Sequence, residues 1–251
     1  SDATRTDIFK NTALHNDNSG STGLYKGITV SGEHFFSKQR LTNANFKNAI
    51  STEDYDWSGN YGPIEKWDTR GVTDMSGAFK DETTFNEDIS EWNMGSVTDA
   101  SGMFQGASTF NQDISEWNVS IVSNMRSMFQ GAGMFNEDIS EWNMESVTDT
   151  NGMFKNAASF NQPIGEWNMG KVLDTGSMFQ GAGMFNEDIS GWNMGSVENT
   201  SRMFQDTSFN QPIGVWNMGS VTDTSGMFQD ATVFNQPIGE WNMGKVLDTG
   251  S

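Results

Sequence analysis

Cysteine is absent, so neither a disulfide framework nor a thiolate site can exist. Histidine occurs only at His15 and His34. No G-x-S-x-G, H-E-x-x-H or P-loop string is present, and the two histidines lie outside the regular part of the chain, so the sequence predicts a protein that is not an enzyme. Basic side chains are scarce: 14 Lys and Arg stand against 33 Asp and Glu, for a net charge of −19. That balance repels phosphate backbones and argues against nucleic acid as a partner, while it attracts cations or basic groups. No apolar run approaches the roughly 20 residues of a membrane-spanning helix. Hydrophobic residues make up only 35%, yet 18 Phe and 9 Trp are among them. An acidic disordered tail is poor in aromatics, so the chain must instead bury a few large side chains spaced widely among polar ones.

What is present is repetition. Trp recurs at 67, 92, 117, 142, 167, 192, 216 and 241, in steps of 25 with one step of 24. From Trp92 on, three residues before each stands Ile, from Ile89 to Ile238, and seven before it a Phe-Asn pair, from Phe85-Asn86 to Phe234-Asn235. Five after it stands Val, from Val72 to Val246, and twelve after it a second Phe, from Phe79 to Phe228. Met precedes that second Phe in every unit but the first, where Ala78 stands. One unit holds too few apolar groups to offset the ordering of its backbone, whereas stacked units bury both flat faces of each. The fold class expected is therefore a solenoid of about seven units.

Within a unit, D-I-S-E-W reads as a short parallel strand bending before Trp, and T-D-T-S-G-M-F-Q-G-A as a short helix or 3-10 turn. Strands so stacked would lie about 4.8 Å apart. Pro163, Pro212 and Pro237 occupy the slot that Asp fills elsewhere, a place expected to start the strand. The invariant Asn86, Asn111, Asn136, Asn161, Asn186, Asn210 and Asn235 are expected to form a structural ladder of amides. Asn93, Asn118 and their equivalents suggest a second one, and the recurrent Trp and Met are expected in the core. Asp74, Asp99, Asn124 and their equivalents are expected to cap the helical turn. Asn118-Val119-Ser120 and Asn199-Thr200-Ser201 fit the glycosylation pattern, but membership in ladders predicts that neither is modified.

Three regions follow: a flexible polar segment at 1–23, a degenerate capping unit at 24–66 that includes Tyr55, Trp57 and Tyr61, and the repeat array at 67–251. The string MGKVLDTGS at 169–177 recurs at 243–251, which implies a longer period of three units and an array that stops within one. The expectation is that the natural protein carries further repeats, and that the uncapped end is open to self-association.

The variable acids fall in columns. Glu87, Asp88 and Glu91 are followed one unit on by Asp113 and Glu116, then by Glu137, Asp138 and Glu141, with Glu166 and Asp188 further along. The plain reading is a solvated acidic face. The same residues are candidates for contact with a basic partner. Calcium takes six to eight oxygen ligands, so Asp88, Glu91, Asp113, Glu116, Asp138 and Glu141 are the metal candidates, without a compact D-x-D-x-D-G loop among them.

The pattern V-T-D/N-M-x-x-M-F-x-x-A-x-x-F-N-x-D-I-x-x-W, as in VSNMRSMFQGAGMFNEDISEWNMESV at 122–147, resembles the bacterial surface-protein repeat of the BspA-like leucine-rich-repeat family over about residues 67–251. The resemblance implies a leucine-rich-repeat-like solenoid on an exported or surface-anchored protein, with roles in attachment. The functional expectation is thus an extracellular or cell-surface repeat protein presenting an acidic face for adhesion or protein recognition. A structural stalk or self-assembling spacer, or a calcium-stabilised surface module, is the alternative.

Overall fold

A computed structural model describes residues 29–30, 33–34, 40–50 and 61–247. Segment 1–23 and the capping residues Tyr55 and Trp57 lie outside the described residues, as does residue 248 onward. The chain divides into two compact units, Ser1–Phe36 and Ser37–Ser251. In the first, β1 (Thr29–Val30) pairs antiparallel with β2 (Glu33–His34).

The second unit opens with β3 (Arg40–Thr42), α1 (Asn43–Ile50) and β4 (Asp68–Gly71), and β3 pairs parallel with β4. The helix starts where Asn45 reaches back to accept from the Thr42 amide, which satisfies a donor that the first turn would otherwise orphan. It buries Phe46 and Ala49. The Phe46 ring meets Trp67 and Trp92 edge-on, with centroids 6.4 and 5.7 Å away. Asn43 then stands in for a missing coil. In the array, Thr98 N donates to Thr73 O and Ser123 N to Thr98 O of the coil before. At the first coil Thr73 N donates instead to Asn43 Oδ1 at 2.8 Å, and Lys47 pairs with Asp74 at 2.7 Å.

From Val72 onward each unit is one turn of a stack. The inter-coil ladder does not run through D-I-S-E-W. It runs through the segment after Val: single parallel bridges join Asp74, Asp99, Asn124, Asp149, Asp174, Asn199 and Asp223 in series. Every second amide beyond each bridge donates to the next coil, as Met75 to Asp99 O, Gly77 to Ser101 O, Phe79 to Met103 O and Asp81 to Gln105 O. The amides between them fold back three residues, as Ala78 to Met75 O and Lys80 to Gly77 O. A helix cannot propagate here because left-handed residues interrupt it twice per coil. Gly77 and Asp81 have φ of 63°, Ser127 and Gly131 of 55° and 74°, and Arg202 and Asp206 of 54° and 56°. The expected helix is therefore a chain of turns that also carries the ladder.

D-I-S-E-W is a tight turn and not a strand, for an identifiable reason. Asp88 Oδ1 accepts from Ser90 N at 3.0 Å, and Trp92 N donates back to Ile89 O at 3.0 Å. Both amides are thus spent locally. After Pro163, Ile164–Glu166 is a single 3-10 turn instead, whereas the coils with Pro212 and Pro237 keep a plain turn. The inter-coil bond at this corner comes from the indole: Trp92 Nε1 donates to Ile64 O, Trp117 Nε1 to Ile89 O, Trp142 Nε1 to Ile114 O.

The core is the stack's axis. Phe104, Phe129, Phe154, Phe179 and Phe204 are fully buried, as are Phe110, Phe135, Phe160, Phe185 and Phe209. Within a coil the two rings lie face to face, for example Phe154 on Phe160 at 3.8 Å. Between coils the second-Phe rings repeat at 5.6 Å (Phe129 to Phe154) and the indoles at 6.4 Å (Trp117 to Trp142), nearly parallel. These centroid spacings are wider than the roughly 4.8 Å between paired parallel strands. Trp92 to Trp216 are only 3–4% exposed.

Candidate interaction face

The invariant Asn column makes a side-chain-to-backbone ladder. Asn111 N donates to Asn86 Oδ1, Asn136 N to Asn111 Oδ1, and the series continues at 2.7–2.8 Å through Asn161, Asn186, Asn210 and Asn235. Each Asn thus supplies the acceptor for the amide one coil on. Replacing Asn136 by Ala leaves the Asn161 amide without its acceptor. The expected cost is about 1 kcal/mol in denaturant unfolding, with faster hydrogen exchange at Asn161. Unchanged exchange there would contradict the ladder.

Asn93, Asn118, Asn143, Asn168, Asn193, Asn217 and Asn242 do not form a second ladder. Each turns its Oδ1 onto the amide two residues ahead, as Asn93 to Gly95 and Asn143 to Glu145. The Asp74 column does likewise, with Asp74 Oδ1 on Ser76 N and Asp99 Oδ1 on Ser101 N, so it caps turns and not a helix. One member is clamped from both sides: Asp174 Oδ1 accepts from Gly176 N, Asn151 Nδ2 and Asn199 Nδ2 at 2.8–3.0 Å. Asp149 is paired with Arg126 at 3.5 Å.

The outward acids sit on the turn before Trp. Asp88, Asp113, Asp138 and Asp188 are exposed, and so are Glu91, Glu116 and Glu141. Sequence reasoning missed the serine that holds the aspartates. Ser90, Ser115 and Ser140 donate both amide and hydroxyl, or amide alone, to the Asp two residues before, and Ser190 donates its amide to Asp188. The signal was in the sequence: the four coils with Asp all read D-I-S, and those with Pro163, Pro212 and Pro237 read P-I-G.

These bonds favour the ionised carboxylate. The Ser90 hydroxyl and amide hold Asp88 below the ordinary carboxyl value. The Ser115 amide and hydroxyl do so for Asp113, against a raising push from Asp88 next door. Asp138 and Asp188 are lowered in the same way by Ser140 and Ser190. A carboxyl whose folded pKa lies below its unfolded value contributes stability at pH above the unfolded value, near 3.9 for Asp. That contribution disappears as pH falls through the folded value. Asp113 is solvent-exposed, so screening keeps the effect small: Asp113→Ala is expected to melt slightly below the parent at pH 7, with the gap closing as pH falls below the ordinary aspartate value. A gap that persists at low pH would show that the carboxylate is not its source.

The Glu column alternates. Glu87, Glu137 and Glu187 are separated by Gln112 and Gln162, so identical charges are two coils apart. The amides use the other coils: Gln112 and Gln162 donate to Asn86 O and Asn136 O. Glu137 and Glu187 accept from Asn111 and Asn161. The Asp slot is continuous only through Asp88, Asp113 and Asp138 before Pro163 breaks it. The Glu slot runs through Glu91, Glu116, Glu141 and Glu166 before Gly191 and the 80% exposed Val215. The densest charge therefore lies between Asp88 and Glu166.

Among the described residues the salt bridges are Lys47–Asp74, Arg70–Asp68 and Arg126–Asp149, and none involves this face. Nor do three or more Asp, Glu, His or Cys side chains converge in metal-binding geometry among those residues. A small polar cleft near the first coil is lined by Asp68, Arg70, Glu91 and Asn93, where Arg70 closes on Asp68 with two contacts of 2.8 and 2.6 Å. No helix among the described residues is long and apolar enough to cross a membrane.

Coils laddered through turns, with aromatic columns inside and acids outside, define a repeat protein. The chain belongs to the family described as "Mycoplasma protein of unknown function, DUF285", which it matches over residues 43–167 and again over 152–251. No curated protein and no solved structure matches the chain.

Proposed function

We propose that the chain is a leucine-rich-repeat-like solenoid of the BspA-like kind, displayed at the cell surface, and that it binds a protein or cell-surface ligand. It works by presentation and not by catalysis. The contact surface is the acidic turn face between Asp88 and Glu166, and its partner carries basic groups. The observation that supports this is the row of exposed carboxylates with no salt bridge of their own among the described residues. Such a row makes the local potential strongly negative and steers a positively charged partner.

The test compares two variants with equal change in charge. One replaces Glu91, Glu116 and Glu141 by Gln; the other replaces Asp81, Asp206 and Asp230 by Asn, away from the face. Binding of the labelled chain to intact cells is followed as salt is raised. The first variant is expected to lose at least about tenfold in affinity, which is roughly 1.4 kcal/mol. The second should bind as the parent does. Equal loss in both would reduce the effect to net charge and overturn the assignment of the face.

A further inference from the structure

Two strings fit the acceptor pattern for N-linked sugar, Asn118-Val119-Ser120 and Asn199-Thr200-Ser201. The structure separates them. Asn199 lies in the bridged Asp column and is half-buried. Its Nδ2 donates to Asp174 Oδ1 at 3.0 Å, and its Oδ1 accepts from the Ser201 amide and hydroxyl. Thr200 is fully buried, and its hydroxyl donates to Asp223 O. Space beside Nδ2 is closed: a Cβ added to Gly176 would come within 2.7 Å of it. A sugar on this nitrogen would break the clamp on Asp174 and meet the coil below.

Asn118 is placed differently. It is exposed, and its Oδ1 accepts from Ser120 N at 3.2 Å. Its Nδ2 makes no hydrogen bond among the described residues. The coil before it presents Gly95, where an added Cβ would lie 3.9 Å from that nitrogen, an ordinary contact and no clash. The equivalents of Ser120 are Gly95, Glu145, Gly170, Gly195, Gly219 and Gly244, so this coil alone sets a hydroxyl two residues after the Asn. Glu116 stands two residues before Asn118, an acidic place that some transferases of this class read, while Val197 stands there for Asn199.

We propose that Asn118 is an acceptor for N-linked glycosylation on the folded chain and that Asn199 is not. The donor is a polyprenyl-diphosphate-linked oligosaccharide. The Asn118 Nδ2–C1 bond forms, the C1–oxygen bond to the diphosphate breaks, and polyprenyl diphosphate leaves while the amide nitrogen gives up one proton. No oxidant or reductant is consumed. The sugar would project beside Glu116, at the edge of the acidic face.

The experiment incubates the native chain with such a donor and a bacterial oligosaccharyltransferase that requires an acidic residue two places before the Asn. Intact mass and peptide mapping give the readout, and a peptide spanning 113–123 runs alongside. The expected result is one glycan, at Asn118, abolished in N118Q and in S120A and retained in N199Q. Transfer to the peptide but not to the native chain would overturn the claim of accessibility. Transfer to neither would remove the motif as an acceptor. Because N199Q removes the Asn199 bond to Asp174, the parent's own peptide map decides whether Asn199 carries sugar, and sugar there on native chain would also overturn the proposal.

Discussion

Phe154→Ala should destabilise the array by about 3–5 kcal/mol, the usual cost of truncating a buried Phe. The ring has no exposure and touches four other rings. Phe160 lies under it at 3.8 Å, Phe129 and Phe179 flank it in the neighbouring coils at 5.6 and 5.7 Å, and Trp167 sits at 6.2 Å. Loss of the ring leaves a void between two coil interfaces at once. Stability in a stacked array is approximately a sum of unit and nearest-neighbour terms. A central defect therefore weakens two of those neighbour terms, and a defect in the last described coil weakens one. Phe234→Ala, in a half-buried ring packed on Phe228 and Phe209, should cost less than half as much. Urea unfolding followed by tryptophan fluorescence would read both, since the indoles lie in the same stack. Equal losses at the two positions would mean that the coils do not share one continuous interior.

The aromatic axis was the most legible part of the sequence. A large apolar residue that returns at one offset in every unit has to face its own copies, and the Phe, Ile, Trp, Val and Met columns are buried together. The invariant Asn column was legible for the same reason, because a polar residue kept at a fixed offset must satisfy its neighbours' backbone. The location of the ladder was not legible. D-I-S-E-W carries strand-forming residues, but propensity for strand is a statement about packing on a pleated surface and is overridden when side chains claim the amides. Asp88 and the Ile89 carbonyl claim two of them. In the other segment, Gly77, Gly102 and Gly106 hinted at left-handed turns, but Ser127, Ser177 and Arg202 adopt the same φ without any such mark. Only the neighbouring coil's hydrogen bonds reveal why they do so. Glu87 and its column were visible as charge, whereas the serines and glutamines that space and hold that charge became visible only as contacts.

Gly165 supplies the sharpest test of how closely two coils are pressed together. It stands two residues after Pro163, where Asp-containing coils carry Ser. A Cβ there would lie 2.3 Å from the carbonyl oxygen of Asp188 in the next coil. The obstacle is backbone, so no rotamer change relieves it, and the two coils would have to part. Gly214 meets Pro237 O at the same 2.3 Å. Gly239 occupies the equivalent slot in the last described coil and has nothing within 4 Å of the added atom. Gly165→Ala is therefore expected to lose about 1–3 kcal/mol or more, as overpacking does. Gly239→Ala should be neutral or gain a few tenths of a kcal/mol through a stiffer unfolded chain. The same chemical change thus has opposite consequences at two copies of one position, decided by whether another coil lies above it. If Gly165→Ala were as stable as the parent, the Pro-containing coils would have to be able to open without disturbing the ladder at Asp149, Asp174 and Asn199, and the close stacking inferred for them would be wrong.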